Sequence, residues 1–389
     1  RIPFGVLPLA PTRRAPRRRR WRGKAQPTLR SAFGALSSAP TRRSPRRAAM
    51  ARAQEELFTA SDGAQIFVRR WEPPEGQAPK AVLHIHHGLG EHSLRYARFA
   101  ERAVAVGLVV VAHDARGHGR TSEAEGSPGL GCIACGKEGA LPRMVADLAE
   151  LILASRAARP DAPILLLGHS FGTVVARLCM CAYAAGASAQ PPPIDGLVLS
   201  APPARIIGLL APAFRALLGT LHLVHGDHGI SSVPAKLSFD KFQAKILAVE
   251  QHTGPVTGWE WLNRSKEEVQ KYVDDPHCGH DLSMGFWSSA VPGILALKSP
   301  ATYAKLSKDC PIGVFAGDKD FCTYDDFGAP SYRRVQEELA SAGRAAPKVV
   351  VYPGARHEIM METNAEEVHD DMLSFLLTCL EKHQPRSRM

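Results

Sequence analysis

Residues 1–54 contain no Asp or Glu and carry 15 Lys or Arg, including Arg17-Arg18-Arg19-Arg20 and Thr41-Arg42-Arg43-Ser44-Pro45-Arg46-Arg47. A segment so basic and Pro-rich cannot bury a core and is expected to be disordered. Two origins fit it. One is an organelle transit peptide, which is typically Arg- and Ser-rich and poor in acid. The other is a gene-model artefact, because the chain begins with Arg and Met50 stands just before the first globular residues. The remaining residues hold 33 Lys or Arg against 38 Asp or Glu, so they carry −5 although the whole chain carries +10. That balance gives no reason to expect a nucleic-acid partner for the folded part. No apolar run reaches the roughly 18–20 residues of a membrane span, and no secretory apolar region precedes the globular part. The eight cysteines show no disulfide framework, which favours a reducing compartment. Cys132-Ile133-Ala134-Cys135 has no second pair near it and reads as free thiols in a surface loop rather than a metal or redox site. The expected location is the cytoplasm or a membrane surface, or an organelle if the leader is a transit peptide.

From residue 65 onward, short β-branched runs alternate with helical patterns, the signature of an α/β sheet flanked by helices. The predicted strands are 65–70, 81–86, 108–113, 163–168, 196–200, 312–316 and 348–352. Ile164-Leu165-Leu166-Leu167 and Val349-Val350-Val351 read as central strands buried on both faces. The predicted helices are 95–106, 141–159, 171–185, 332–342 and 365–382. Residues 203–300 lack strand-like runs and fall between the sixth and seventh strands, so they are expected to form a helical cap inserted into the core. The division is then a leader over 1–54, core over 55–202 and 301–389, and cap over 203–300.

Gly168-His169-Ser170-Phe171-Gly172 lies directly after a predicted strand and before a predicted helix. On such a strand-to-helix turn the Ser170 hydroxyl is thrust out of the sheet. Side chains two residues either side would collide, hence the two glycines. A serine hydroxyl needs a base, and the base needs an orienting carboxylate. In this setting acid and then His follow the serine along the chain. Four histidines fall late enough, His280, His357, His369 and His383. His357 stands in a turn just past the last strand, where it can reach the serine, whereas His369 and His383 suit a solvated helix face. Val314-Phe315-Ala316-Gly317-Asp318-Lys319-Asp320 offers two carboxylates. Asp320, further along the loop, is favoured, with Gly317 giving flexibility and Asp318 capping the loop. For an oxyanion, the N–H of Phe171 after the serine and that of Leu89, between Gly88 and Gly90, are the expected donors. His86, His87 and His92 lack a carboxylate array, so His87 and His92 are read as bracing the loop and no metal is expected.

His87-Gly88-Leu89-Gly90-Glu91-His92-Ser93 with Tyr96, His113-Asp114-Ala115-Arg116-Gly117-His118-Gly119-Arg120-Thr121 and the Ser170 turn closely resemble the monoacylglycerol lipase and lysophospholipase family of α/β-hydrolases. The resemblance extends over about residues 55–385. It implies the α/β-hydrolase fold, a Ser170, Asp320, His357 triad, Leu89 and Phe171 as oxyanion donors, and no cofactor. The substrate it implies is a monoacylglycerol or lysophospholipid. The 113–121 stretch is implied to be structural. The chain departs from the family in a longer loop over 123–140 and in His277, where an apolar residue usually stands. The apolar stretch 206–214 with Leu217 and Leu218 is expected to line an acyl channel, to touch a membrane surface, or simply to pack on the core. Three rival readings stay open: a non-lipid esterase, a peptidase or C–C hydrolase using the same triad, and a non-catalytic ligand-binding member. A dehalogenase is excluded, since it needs a carboxylate where Ser170 stands.

Overall fold

The computed structural model describes residues 53–133, 139–181, 194–204, 211–250, 254–297, 299, 302–305, 310–324 and 328–381. Residues 1–52, Cys135, residues 206–210 and His383 lie outside them, so the expectations placed on the leader and on these positions do too.

Eight strands form one sheet in the order β1-β2-β4-β3-β5-β6-β7-β8. They are β1 (Gln54–Thr59), β2 (Gln65–Trp71), β3 (Ala81–His86), β4 (Leu108–His113), β5 (Ile164–His169), β6 (Gly196–Ser200), β7 (Ile312–Gly317) and β8 (Lys348–Tyr352). β1 and β2 run antiparallel to their neighbours and the other pairings are parallel. Every residue of β3, β4, β5 and β6 is buried, as expected where helices cover both faces of a parallel sheet. Strand alternation divides the core: Ile164 and Leu166 face one apolar cluster, Leu165 and Leu167 the other. The first cluster is closed by α2 (Ala140–Ala158) and α3 (Phe171–Met180), the second by α1 (Ala97–Ala105) and α9 (Ala365–Glu381). This is the α/β-hydrolase arrangement.

Among the described residues, four α-helices separate β6 from β7: α4 (Ala211–His225), α5 (Val233–Val249), α6 (Lys266–Asp274) and α7 (Met284–Ala296). α7 packs on α2 and α4, and its Phe286 and Trp287 belong to the main core. α8 (Ser331–Ser341) links β7 to β8.

Several expectations need correction. β1 has no strand-like signature, because Gln54-Glu55-Glu56-Leu57 is exposed and only its pairing with β2 makes it a strand. β8 is an edge strand with half-buried valines rather than a central one, because no strand among the described residues pairs with its outer edge. His369 is buried, not solvated, and its Nε2 bonds the Met360 carbonyl at 2.8 Å. Cys132 is buried as well, with its Sγ 3.4 Å from His228 Nδ1.

Candidate active site

Ser170 joins β5 to α3 with φ 52° and ψ −122°, a region non-glycine residues rarely occupy. Its N–H donates to the Ser200 carbonyl at 2.9 Å, which anchors the turn to β6. The flanking glycines are steric requirements. A Cβ at Gly168 would lie 2.4 Å from the Gly172 carbonyl oxygen, and one at Gly172 would lie 2.3 Å from that of His86.

The turn after β8 carries His357, whose Nε2 lies 2.8 Å from Ser170 Oγ. Its Nδ1 is 2.8 Å from Asp320 Oδ2. A carboxylate can only accept here, so Nδ1 carries the proton and Nε2 is left to accept from the serine hydroxyl. Asp320 is fully buried past the end of β7, and its Oδ1 accepts from the Cys322 N–H at 3.0 Å. Asp318 instead accepts from the Gly354 N–H at 2.6 Å and ties the two turns together. The Lys319 N–H donates to the Ala355 carbonyl at 3.0 Å across the same gap. Gly317 is required by this contact rather than by flexibility, because a Cβ there would lie 2.1 Å from the Ala355 oxygen. Burial pushes the His357 pKa down, but the charge and hydrogen bond of Asp320, with Glu358 and Glu91 beyond it, raise it above 6.5.

The loop after β3 runs beside the serine: a Cβ at Gly88 would lie 3.1 Å from that of Ser170. Leu89 and Phe171 line the same cavity as Ser170 and His357. As the first residue of α3, Phe171 has an N–H with no partner inside the helix. His87 braces the loop, donating from Nδ1 to the Gly88 carbonyl at 2.7 Å and accepting the Ala115 N–H on Nε2 at 2.9 Å. His86 bonds the His87 carbonyl at 2.9 Å. His92 turns away to Asp275, at 2.9 Å.

Sequence reasoning assigned no role to a buried ionic network under this loop. Glu91 accepts from the Gly88 N–H at 2.6 Å, the Tyr96 hydroxyl at 2.8 Å and Arg95 at 2.9 Å. Arg95 also holds both oxygens of Glu358, the residue after His357, at 2.5 and 2.9 Å. Burial would raise the Glu91 pKa, yet the Arg95 charge and the Gly88 N–H help to hold it at about 2. The available signal was a carboxylate three residues beyond a loop glycine whose N–H needed an acceptor.

A cavity of about 300 Å³ opens over Ser170, walled by Phe239 and Phe242 of α5 and by Trp259, Trp261, Leu262 and Trp287. Phe239 and Trp261 stack at 5.9 Å, and Trp261 sits 5.1 Å from the His357 ring. Phe214, Leu217 and Leu218 are not among the lining residues. Leu218 is buried in the main core and Phe214 packs against it. The channel expected from that stretch is built, among the described residues, from α5 and Trp259–Leu262.

Residues 77–364 match the family model described as serine aminopeptidase, S33. A monoacylglycerol lipase of Mycolicibacterium smegmatis is 28% identical over 84% of this chain and 98% of its own. A monoglyceride lipase homolog of Monkeypox virus is 26% identical over 78% and 90% respectively. A thermostable carboxyl esterase from Bacillus coagulans, solved with glycerol, superposes with a TM-score of 0.71 at 24% identity, covering 85% of this chain and 99% of that one.

Proposed function

The chain belongs to the serine aminopeptidase, S33, family and is a carboxylic ester hydrolase; from that premise we propose that it cleaves a lipid-derived ester, a monoacylglycerol or lysophospholipid, with Ser170 as nucleophile. The observation that carries the reading is the pair of 2.8 Å hydrogen bonds linking Asp320, His357 and Ser170 in one line.

In this reading His357 Nε2 takes the hydroxyl proton as Ser170 Oγ attacks the acyl carbonyl. The N–H groups of Leu89 and Phe171 receive the oxyanion. The imidazolium, stabilised by Asp320, then protonates the departing alcohol. Water, activated by the same imidazole, releases the acid and regenerates the serine. The aromatic wall suits an apolar acyl group. The described residues of the 203–300 insertion serve as a cap over the cavity, and Leu223 and Val224, exposed at the end of α4, make peripheral contact with the membrane surface that supplies the substrate.

Full-length protein and Ser170→Ala are compared on a series of glycerol and lysophospholipid esters of increasing acyl length and on aminoacyl amides. Long-acyl turnover that disappears in folded Ser170→Ala, together with fluorophosphonate labelling of Ser170, supports the reading. A preference for acetyl esters removes the lipid assignment, and a preference for aminoacyl amides replaces it with a peptidase.

A further inference from the structure

We propose that His92, Asp275 and Cys278 form a binding site for a borderline-soft divalent cation of the zinc class, at the seam between the β3 loop and the segment joining α6 to α7. A ring nitrogen of His92, an Asp275 carboxylate oxygen and the Cys278 Sγ all lie within 4.8 Å of one another. His92 is buried, while Asp275 and Cys278 are half-buried, so the group reaches solvent on one side.

The three ligands are arranged by backbone geometry. The Cys278 N–H donates to the Asp275 carbonyl at 3.0 Å, which folds residues 275–278 into a turn with carboxylate and thiol on one side. The His277 N–H occupies Asp275 Oδ1 at 2.9 Å, leaving Oδ2 to face His92 Nε2 at 2.9 Å. Nitrogen, carboxylate oxygen and sulfur are the donor set of zinc. With metal bonds of about 2.0–2.3 Å, tetrahedral ligands stand roughly 3.3–3.6 Å apart. The three ligand atoms lie within 4.8 Å of one another, so small side-chain adjustments bring them to that spacing. The proton that His92 Nε2 directs at Asp275 is lost to solvent, leaving a neutral imidazole protonated on Nδ1 whose Nε2 binds the cation; Cys278 releases its thiol proton to solvent, and water fills the fourth position.

Charge permits it. Burial pushes the Cys278 thiol up, so the cation itself must displace its proton; the opposing Arg95 charge is already paired with two carboxylates, Glu91 and Glu358. With Asp275 the neighbourhood carries an excess of negative charge for a dication to offset. The ion would reinforce a junction built at the next residues, where the Gly90 carbonyl accepts from the Tyr272 hydroxyl and the Gly279 N–H, both at 2.9 Å. In a second cluster, Asp320, Cys322 and His357, the carboxylate and imidazole are already committed to the hydrogen-bonded line to Ser170, and this cluster serves as the internal control.

The test titrates Co²⁺ into metal-free full-length protein and follows the thiolate-to-cobalt charge-transfer absorption, with Zn²⁺ as competitor. Wild type is expected to bind one Co²⁺ with that band, displaced by Zn²⁺, and to unfold at a higher temperature when loaded. Cys278→Ala loses the band while Cys322→Ala retains it. Loss of a ligand weakens binding by more than the roughly 10–100-fold that loss of an outer partner costs. Near-UV circular dichroism verifies that each variant is folded, and Asp275→Asn supplies a second lesion that leaves the thiol in place. Absence of stoichiometric cobalt binding overturns the proposal, as does a band that survives Cys278→Ala or vanishes only in Cys322→Ala.

Discussion

Replacing Glu91 by Gln tests the ionic network under the β3 loop without changing its shape. The carboxylate accepts from the Gly88 N–H, the Tyr96 hydroxyl and Arg95 at once. An amide can serve one side only, because its NH₂ must point at a donor on the other. The ionised form is preferred strongly, with a pKa of about 2 where 4.5 is ordinary. At about 1.4 kcal/mol for each pH unit of displacement, the group contributes about 3 kcal/mol to folding at neutral pH. A lowered folded-state pKa gives stability that is complete above 4.5 and is lost as pH falls toward 2. Urea unfolding followed by tryptophan fluorescence should therefore show a lower midpoint for Glu91→Gln at pH 7, with the gap to wild type narrowing below pH 4.5. Turnover should fall with little change in KM, since Gly88 precedes the Leu89 donor. An unchanged midpoint at pH 7, or a gap that stays constant from pH 7 to pH 3, would refute the argument.

In Asp320→Asn, kcat should drop by about 10⁴. In the proposed mechanism activity requires neutral His357, and Asp320 raises its pKa above 6.5, so the acidic limb of the residual pH–rate profile should move to lower pH. Gly172→Ala forces a Cβ to 2.3 Å from the His86 oxygen; thermal unfolding should register a loss of about 3 kcal/mol. Leu223→Ser with Val224→Ser should reduce co-sedimentation with anionic vesicles and leave hydrolysis of a short soluble ester unchanged.

Features legible in the sequence were those whose constraints are local. The Ser170 turn declares itself by two glycines between a β-branched run and a helix, and His357 by its place just past the last strand. Asp320 was separated from Asp318 by loop position, and the distinction is visible in their partners, His357 for one and the Gly354 N–H for the other. What stayed hidden depends on residues far apart in the chain. β1 exists through its neighbour, β8 is half-exposed because it ends the sheet, and His369 is buried by packing against Phe99 at 5.1 Å. The Glu91–Arg95–Glu358 network joins positions more than 260 residues apart, and nothing local marks Glu358 as its member. The cavity wall was sought in the most apolar stretch, yet that stretch is partly consumed by the core while α5 and Trp259–Leu262 line the cavity over the serine.

The hydrogen bonds that lace the turn after β7 to the turn after β8 have a mechanical consequence. Imidazole and carboxylate ride on one stiff platform, whereas the hydroxyl belongs to a separate rigid corner held by β6. Warming should therefore stretch the gap between His357 and Ser170 sooner than the gap between His357 and Asp320. As the molecule is warmed, the imidazole N–H shared with Asp320 should remain protected after acylation has already slowed.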